Sequence, residues 1–356
     1  MLMTLSISSI RALLKARGSR APKLDLLDVP RYTRDELGLH GLTLTTDLLA
    51  GATRDRLVGL REAGDKAGCA ALVLIEPDPL PIAELAESKG EQSAERMRRV
   101  LQAARLLGCS SVGFSIKGKD DEASFERACE RLKPVIELGE RLEINVLIRP
   151  SKGLTESPDR TIELVKKVGG FRIGTLPDFQ SAAESDDPGA YLRRLTPYAS
   201  ALLASTVELE QPEDEPAPVE KPKKKPAKTK AANTKAKASS KKSSGEEPEQ
   251  VPEQDPEQEP ENNGEEGGST KDASGGEGLE GIPDALLADL EAMLEDEVFT
   301  PPVHVTYDLR PMVEAIKAVG YDQTLSIDYR GSGDGTLGAI MSREAIEAVF
   351  ESLADG

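Results

Sequence analysis

The sequence contains few of the residues on which several common kinds of site depend. It has no tryptophan, two histidines and three cysteines, and aromatic residues make up 3% of its 356 positions. The cysteines are odd in number and lack the spacing of a metal site; they are Cys69, Cys109 and Cys129. This pattern indicates a protein of a reducing cytoplasm. Cys69 and Cys109 precede predicted strands and Cys129 lies in a predicted helix, so a nucleophilic-cysteine mechanism has little support.

Long apolar runs and an excess of positive charge are also missing. No run approaches the ~20 residues of a membrane-spanning helix. Residues 1–7 lack a basic region before their apolar side chains, so we expect a first strand there and no signal peptide. The net charge of −18 argues against attraction to nucleic acid or anionic membranes. We therefore expect a cytoplasmic protein without membrane contact, whose oligomeric state stays open.

One long stretch, residues 211–281, has almost no branched aliphatic or aromatic side chains. Lys221–Lys242 contains ten lysines, and Glu246–Glu266 is an acidic tract rich in proline and glutamine. Neither tract can bury enough apolar surface to offset chain ordering, which predicts disorder. We interpret the stretch as a spacer or an electrostatic tether. Weak nucleic-acid contact is conceivable only through the lysines, which have no aromatic neighbours for stacking.

The remaining chain repeats an amphipathic helix, a glycine and a short apolar run. Gly38, Gly68, Gly108 and Gly139 each hold the position between helix and run. A glycine just after a helix adopts the left-handed cap conformation without strain, and short continuous apolar strands are typical of a parallel sheet buried on both faces. The runs predict eight strands, near residues 3–7, 41–46, 70–75, 111–116, 143–148, 171–176, 199–206 and 324–329.

Alternating strands and helices at this spacing imply right-handed crossovers, and eight such units predict a closed (β/α)8 TIM barrel. An open doubly wound sheet is the second option, but no glycine-rich dinucleotide-binding turn follows the first strand. Strands 1–7 would occupy residues 1–209 and the disordered insertion residues 210–282, between strands 7 and 8. Residues 283–356 would supply an amphipathic helix over Pro283–Leu294, which packs on the barrel or binds a partner, and then the closing helix, strand 8 and last helix.

Several segments resemble, in the same order, the sugar-phosphate isomerase/epimerase family of xylose isomerase-like barrels. These segments are Leu37–Leu44, Ala103–Cys109, Pro177–Gln180, Tyr307–Tyr329 and Gly338–Ser342. The resemblance spans nearly all of residues 1–207 and 300–356. It implies a TIM barrel that acts on or binds a small sugar or sugar phosphate. With two histidines, the chain lacks the imidazole-rich three-metal site of the related apurinic endonucleases.

Members of this family typically bind one divalent metal through Glu, Asp, His and Glu at the carboxyl ends of strands five to eight. The resemblance places Arg149 at the first position and Asp178 at the second, while residues 204–206 carry no histidine and Asp328 replaces the last glutamate. Three of the four ligand positions are therefore altered. Asp178 and Asp328 could hold a weakly bound Mg²⁺ or Mn²⁺, but a guanidinium among them opposes the cation.

Barrel active sites lie at the carboxyl ends of the strands, which here carry Glu76, Lys117, Arg149, Lys152, Asp178, Ser205, Asp328 and Arg330. One interpretation is a pocket for a sugar phosphate or sugar acid bound by the cations Lys117, Arg149, Lys152 and Arg330. The other is an internal ion-pair network of Arg149 with Asp178 or Asp328 that replaces a lost metal.

Two hypotheses about function follow. In the first, an isomerase or epimerase uses Asp178 and Asp328 as metal ligands or acid–base groups and Arg149 as electrophile or substrate clamp. In the second, a catalytically inactive barrel binds a ligand or partner, with the insertion as an interaction arm. Carboxylates beside arginine have pKa values pushed away from neutrality, which favours the second hypothesis; the resemblance favours the first.

Two further features near the predicted mouth are weaker. His304 could approach the catalytic face, whereas His40 precedes strand 2 and is expected to be structural. The turn Gly331–Gly335 after strand 8 is interpreted as flexible, with phosphate binding by its amides as the alternative.

Overall fold

The computed structural model describes residues 1–15, 21–212 and 300–354, which belong to one compact unit. The predicted insertion, apart from its first three residues, and the predicted amphipathic helix over 283–294 lie outside these residues. None of the described helices is long and apolar enough to cross a membrane.

Eight parallel strands form the central sheet of this unit. They are β1 (Leu2–Ser6), β2 (Gly41–Thr45), β3 (Ala70–Ile75), β4 (Ser111–Ser115), β5 (Asn145–Arg149), β6 (Ile173–Thr175), β7 (Ala201–Thr206) and β10 (Thr324–Tyr329). Each lies within two residues of its predicted position. Strand β10 pairs with both β7 and β1, and parallel bridges from Thr175 to Ala199 and from Asp178 to Leu203 join β6 to β7. The sheet therefore closes in sequence order, which confirms the TIM barrel and excludes the open doubly wound sheet.

Helices connect the strands on the outside of the barrel. They are α1 (Arg11–Leu14), α2 (Val29–Leu37), α3 (Arg54–Ala67), α4 (Glu87–Leu107), α5 (Glu122–Leu142), α6 (Pro158–Val168), α7 (Phe179–Ala183), α8 (Pro188–Leu195), α9 (Arg310–Ala318) and α10 (Gly335–Ser352). Short 3-10 turns span Thr46–Leu49 and Thr196–Tyr198, and β8 (Leu209–Glu210) pairs antiparallel with β9 (Val303–His304).

The glycines after the helices behave as predicted at three positions and differently at the fourth. Gly38, Gly68 and Gly108 are left-handed caps with φ of 62°, 64° and 82°. Gly139 instead lies inside α5, which continues to a left-handed Glu143. A β-carbon at Gly139 would lie 2.8 Å from Val146 Cγ2, so this glycine allows close helix–strand approach and the predicted cap there is wrong.

The interior of the barrel has an apolar side and a hydroxyl side. Val73, Ile75, Leu147, Leu176, Ala201 and Leu203 form the apolar cluster. The register pairs Thr4 with Ser326 and Ser6 with Thr43, so the other side carries buried hydroxyls. Because successive strand side chains alternate between faces, the residues two positions beyond these layers also point inward. At the carboxyl ends, those residues are Arg149, Asp178, Ser205 and Asp328.

Candidate functional site: two arginines and two aspartates at the barrel mouth

Asp178 is the centre of the polar cluster at the carboxyl end of the barrel. It follows β6, is fully buried and caps the N-terminus of α7, where its Oδ1 accepts a hydrogen bond from the Gln180 amide at 3.0 Å. An aspartate at this position satisfies an amide that the helix itself leaves free. The hydroxyl of Ser205, at the end of β7, donates to the same oxygen. The N-terminus of α7 and the end of β7 therefore hold the Asp178 carboxylate in a fixed position.

Arg330 lies between the two aspartates. Its Nη2 is 2.5 Å from Asp178 Oδ2 and its Nη1 is 3.3 Å from Asp178 Oδ1. Its Nε donates to Asp328 Oδ2 at 2.8 Å, and its Nη1 also donates to Gln180 Oε1 at 2.6 Å. All three guanidinium nitrogens thus have partners. Such two-point contacts fix geometry as well as charge.

Arg149 approaches Asp178 from the other side and uses less of its guanidinium. Its Nη2 lies 2.8 Å from Asp178 Oδ2, which is one of the ion pairs that the sequence allowed. Among the described residues, Nε and Nη1 of Arg149 have no hydrogen-bond partner, and a quarter of the side chain is exposed. Arg149 can therefore bind a further anion without leaving Asp178.

The charges of this cluster are closely balanced. Burial alone raises the pKa of Asp178, but the positive charges of Arg330 and Arg149 outweigh it, and this pKa lies below its usual value. Burial lowers the pKa of Arg330, and the two aspartates more than compensate, so that pKa lies above its usual value. Asp178 is thus held ionised and is poorly suited to accept a proton near neutral pH.

The divalent metal of the resemblance does not fit these residues. Both oxygens of Asp178 and one oxygen of Asp328 already accept hydrogen bonds from guanidinium groups. In the described part of the chain, no three His, Cys, Asp or Glu side chains converge so that they could hold a metal ion. A divalent cation placed here would be repelled by Arg149 and Arg330. Among the described residues, the buried oxygen Asp328 Oδ1 has no hydrogen-bond partner.

The two lysines predicted as ligand-binding groups lie on exposed loops outside this cluster. Lys117 follows β4, and its amide donates to the Leu80 carbonyl at 2.8 Å. Lys152 follows β5 and lines an adjacent cleft. Glu76, at the end of β3, is buried and pairs with Arg96 at 2.8 Å. The structure therefore brings together Arg149, Arg330 and the two aspartates but leaves Lys117 apart from them.

A cleft of about 680 Å³ is lined by Pro150, the residue after Arg149, and by Tyr191, whose pKa responds to the charges of Asp178 and Arg149. It is lined by Pro150, Ser151, Lys152, Glu156, Pro158, Ser181, Glu184, Ser185 and Tyr191. Burial raises the pKa of Tyr191, and the charge of Asp178 raises it further, so this phenol stays protonated and can donate a hydrogen bond. Sequence reasoning missed Tyr191 because it comes from α8, where the sequence contains no signal that it faces the mouth.

His304 lies at this end of the barrel, but the backbone uses both of its ring nitrogens. The Val207 amide donates to Nε2 at 3.0 Å, and Nδ1 lies 2.7 Å from the Tyr307 carbonyl. Nε2 is therefore the unprotonated nitrogen and Nδ1 the donor. Burial lowers the pKa of His304, so the ring is neutral and structural. Tyr307 in turn donates to the Ser205 carbonyl and supports the cluster from outside.

The glycine-rich turn after β10 also has a structural role. Asp334 caps α10 by accepting hydrogen bonds from the amides of Thr336 and Leu337 at 2.8 and 3.1 Å. These hydrogen bonds lower the pKa of Asp334. Asp334 therefore occupies two of the first amides of α10, while the amide of Gly333 in the turn lies 3.3 Å from the Tyr329 hydroxyl.

Comparison with known proteins points to one family. The sequence profile described as "xylose isomerase-like TIM barrel" matches residues 35–214, whereas no curated protein sequence matches the chain. Among solved structures, L-ribulose 3-epimerase is similar with a TM-score of 0.62 and 12% identity, over 100% of this chain and 96% of that one. D-psicose 3-epimerase from Clostridium cellulolyticum H10, solved with D-tagatose, has a TM-score of 0.57 and 11% identity, over 99% of both chains.

A third similar structure is that of the IOLI protein with a bound zinc atom. Its TM-score is 0.56 at 11% identity, over 100% of this chain and 97% of that one. At such identities these likenesses establish a shared fold.

Proposed function

Since this chain belongs to the xylose isomerase-like TIM barrel family, we propose that it binds a small sugar-derived anion, a sugar phosphate or sugar acid, at the carboxyl-end mouth of the barrel without a divalent metal. One observation carries the proposal. Arg330 lies between Asp178 and Asp328, while Nε and Nη1 of Arg149 have no partner among the described residues and Pro150, the next residue, lines the cleft.

The free side of Arg149 supplies the anion-binding group. Two guanidiniums and two carboxylates neutralise each other within the cluster, so an incoming phosphate or carboxylate meets no net negative charge there. Lys152 lines the cleft next to Arg149 and adds one positive charge. A guanidinium N–H donates a charge-assisted hydrogen bond to a phosphate or carboxylate oxygen, and Nε and Nη1 of Arg149 each offer such a donor.

The lining of the cleft suits the hydroxyl groups of a sugar. Ser151, Ser181, Ser185 and Tyr191 supply hydroxyls, and Glu156 and Glu184 supply acceptors. The volume of about 680 Å³ lies within the ~300–1,000 Å³ usual for small-ligand pockets. The hydroxyl and carboxylate groups of the walls favour a polar ligand over an apolar one, with its hydroxyls beside Glu156 and Glu184 and its anionic group toward Arg149 and Lys152.

The second candidate function is that of an isomerase or epimerase with a weakly held Mg²⁺ or Mn²⁺. The observation that favours it is the buried oxygen Asp328 Oδ1, for which the described part of the chain supplies no hydrogen-bond partner. The low pKa of Asp178 and the neutral, fully bonded His304 argue against proton transfer by these groups. We therefore place ligand binding first. The lysine-rich tract, predicted as an interaction arm, lies outside the described residues.

Calorimetric titration of the full-length protein tests the proposal. The probes are fructose 6-phosphate and gluconate, with glucose as the uncharged comparison. We expect one or both anions to bind and glucose to bind at least about tenfold more weakly, because a charge-assisted contact is lost. Arg149→Gln should reduce anion binding by about tenfold, whereas Arg310→Gln, on the outer surface, should not. Failure of both anions to bind, or equal binding by Arg149→Gln, would overturn the proposal.

A further inference from the structure

The opposite, amino-terminal end of the barrel carries a second pocket that is unrelated to the mouth. It has a volume of about 490 Å³ and lies between the starts of β5, β6, β7 and β10. Leu147 and Gly174, which belong to the strands themselves, form part of its wall, together with Tyr198 and Tyr321. The pocket therefore reaches between the strand ends.

Phe171 stands at this pocket with its side chain fully exposed, at 101% of the reference area. Two glycines precede it, with φ of 71° at Gly169 and 105° at Gly170. A β-carbon on Gly170 would lie 2.8 Å from both Ile136 Cγ2 and Glu140 Oε1. The Phe171 amide donates to the same Glu140 oxygen at 2.8 Å. The turn is thus tied to α5 in a conformation that displays an aromatic ring to solvent.

Arg172 supplies a positive charge in the same pocket. In the described part of the chain, its guanidinium has one hydrogen bond, from Nη1 to Asn145 Oδ1 at 3.3 Å, and no acidic partner. Asn145 is itself oriented by its amide, which donates to Ser200 Oγ at 3.2 Å. Nε and Nη2 of Arg172 therefore remain available to an anion, while Asn145 holds the guanidinium in place.

One carboxylate, Asp322, also lines the pocket, and its Oδ1 accepts a hydrogen bond from the Gln323 side chain. Its negative charge would repel an anion placed beside it but would accept hydroxyl donors. The pocket thus combines a ring for stacking, an open guanidinium for an anion and an acceptor for hydroxyls. A planar base, a phosphate and ribose hydroxyls are the matching groups of a nucleotide.

We propose that the amino-terminal pocket binds a nucleoside monophosphate, whose base stacks on Phe171, whose phosphate contacts Arg172 and whose ribose hydroxyls face Asp322. A single exposed aromatic ring is too small an apolar area for a stable protein interface, which favours a small ligand over a second copy of the chain. Stacking of a base on an aromatic side chain is sequence-tolerant, because every base has a π-face.

Titration of the full-length protein with AMP and UMP tests this site. We expect at least one of them to bind, and adenosine and inorganic phosphate alone to bind at least about tenfold more weakly, because each lacks one of the two anchors. Phe171→Ala and Arg172→Gln should each weaken binding by about tenfold. Phe171→Tyr, which keeps the ring, and Arg31→Gln, on the exposed surface of α2, should bind as the wild type does.

Three results would overturn the proposal. The first is the absence of binding by both nucleotides, and the second is binding that Phe171→Ala leaves unchanged. The third is a change of sedimentation coefficient in Phe171→Ala from dimer to monomer without nucleotide binding, which would assign Phe171 to a contact between copies of the chain. Since none of these variants alters the carboxyl-end mouth, the outcome is independent of the sugar-anion titration.

Discussion

The guanidinium of Arg330 meets the carboxylate of Asp178 at two points, with Nη2 2.5 Å from Oδ2 and Nη1 3.3 Å from Oδ1. The two residues are 152 positions apart in the sequence and come from different strand ends. Asp178 is fully buried, whereas Arg330 retains about a quarter of its side-chain exposure. The carboxylate therefore depends on its arginine partners for compensation of its charge.

Removal of Arg330 should destabilise the protein strongly. We expect Arg330→Met to lower the free energy of unfolding by ~3–5 kcal/mol, because Asp178 and Asp328 would keep their buried charges and lose the partner between them. Urea unfolding measures the change. The matched control is Arg310→Met, whose exposed pair with Glu314 should contribute less than about 1 kcal/mol. Equal effects of the two substitutions would contradict the compensating role of Arg330.

Divalent metal ions should not stabilise the wild-type protein. We expect no change in melting temperature on titration with Mn²⁺ or Mg²⁺, because Arg330 and Arg149 occupy the oxygens of Asp178. Metal content of the purified protein and thermal melts with and without EDTA measure this. Stabilisation by Mn²⁺ that Asp178→Ala abolishes would instead support the metal-dependent isomerase.

Acid should remove part of the stability that Asp178 contributes. The pKa of Asp178 is lower in the folded state than the ~3.9 of an unfolded aspartate. Its contribution is thus fully present above the unfolded pKa and is lost as the pH falls through the lower folded pKa. The difference in unfolding free energy between wild type and Asp178→Asn should therefore narrow below about pH 4. Urea unfolding at several pH values measures this difference in unfolding free energy. A difference that does not change with pH would show that folding does not lower the pKa of Asp178.

Two glycine substitutions should have opposite effects on stability. Gly139→Ala should destabilise despite the better helix propensity of alanine, because its β-carbon would lie 2.8 Å from Val146 Cγ2 and 2.9 Å from the Ile144 carbonyl. Gly59→Ala, inside α3, meets nothing closer than Leu27 Cδ2 at 3.9 Å and should stabilise by roughly 0.5–1 kcal/mol. Thermal and urea unfolding compare the pair. If Gly139→Ala stabilised the protein, α5 would not need the close approach to Val146 that Gly139 allows.

Much of the mouth was predictable once the strands were located. The rule that carboxyl ends of barrel strands meet places Arg149, Asp178, Asp328 and Arg330 together. The sequence did not show which arginine lies between the aspartates. That choice depends on the register of β10 against β7, which pairs Asp328 with Ser205, and on the path of the chain just after each strand.

The amino-acid sequence by itself determined the barrel, because apolar runs and helix-ending glycines such as Gly68 and Gly108 are local signals that recur along the chain. Only the tertiary structure decided that Arg330 bridges two aspartates, that Tyr191 reaches the cleft and that Phe171 and Arg172 line a second pocket. These relationships join residues far apart in sequence, and side-chain direction there is set by packing and strand register, which no local pattern encodes.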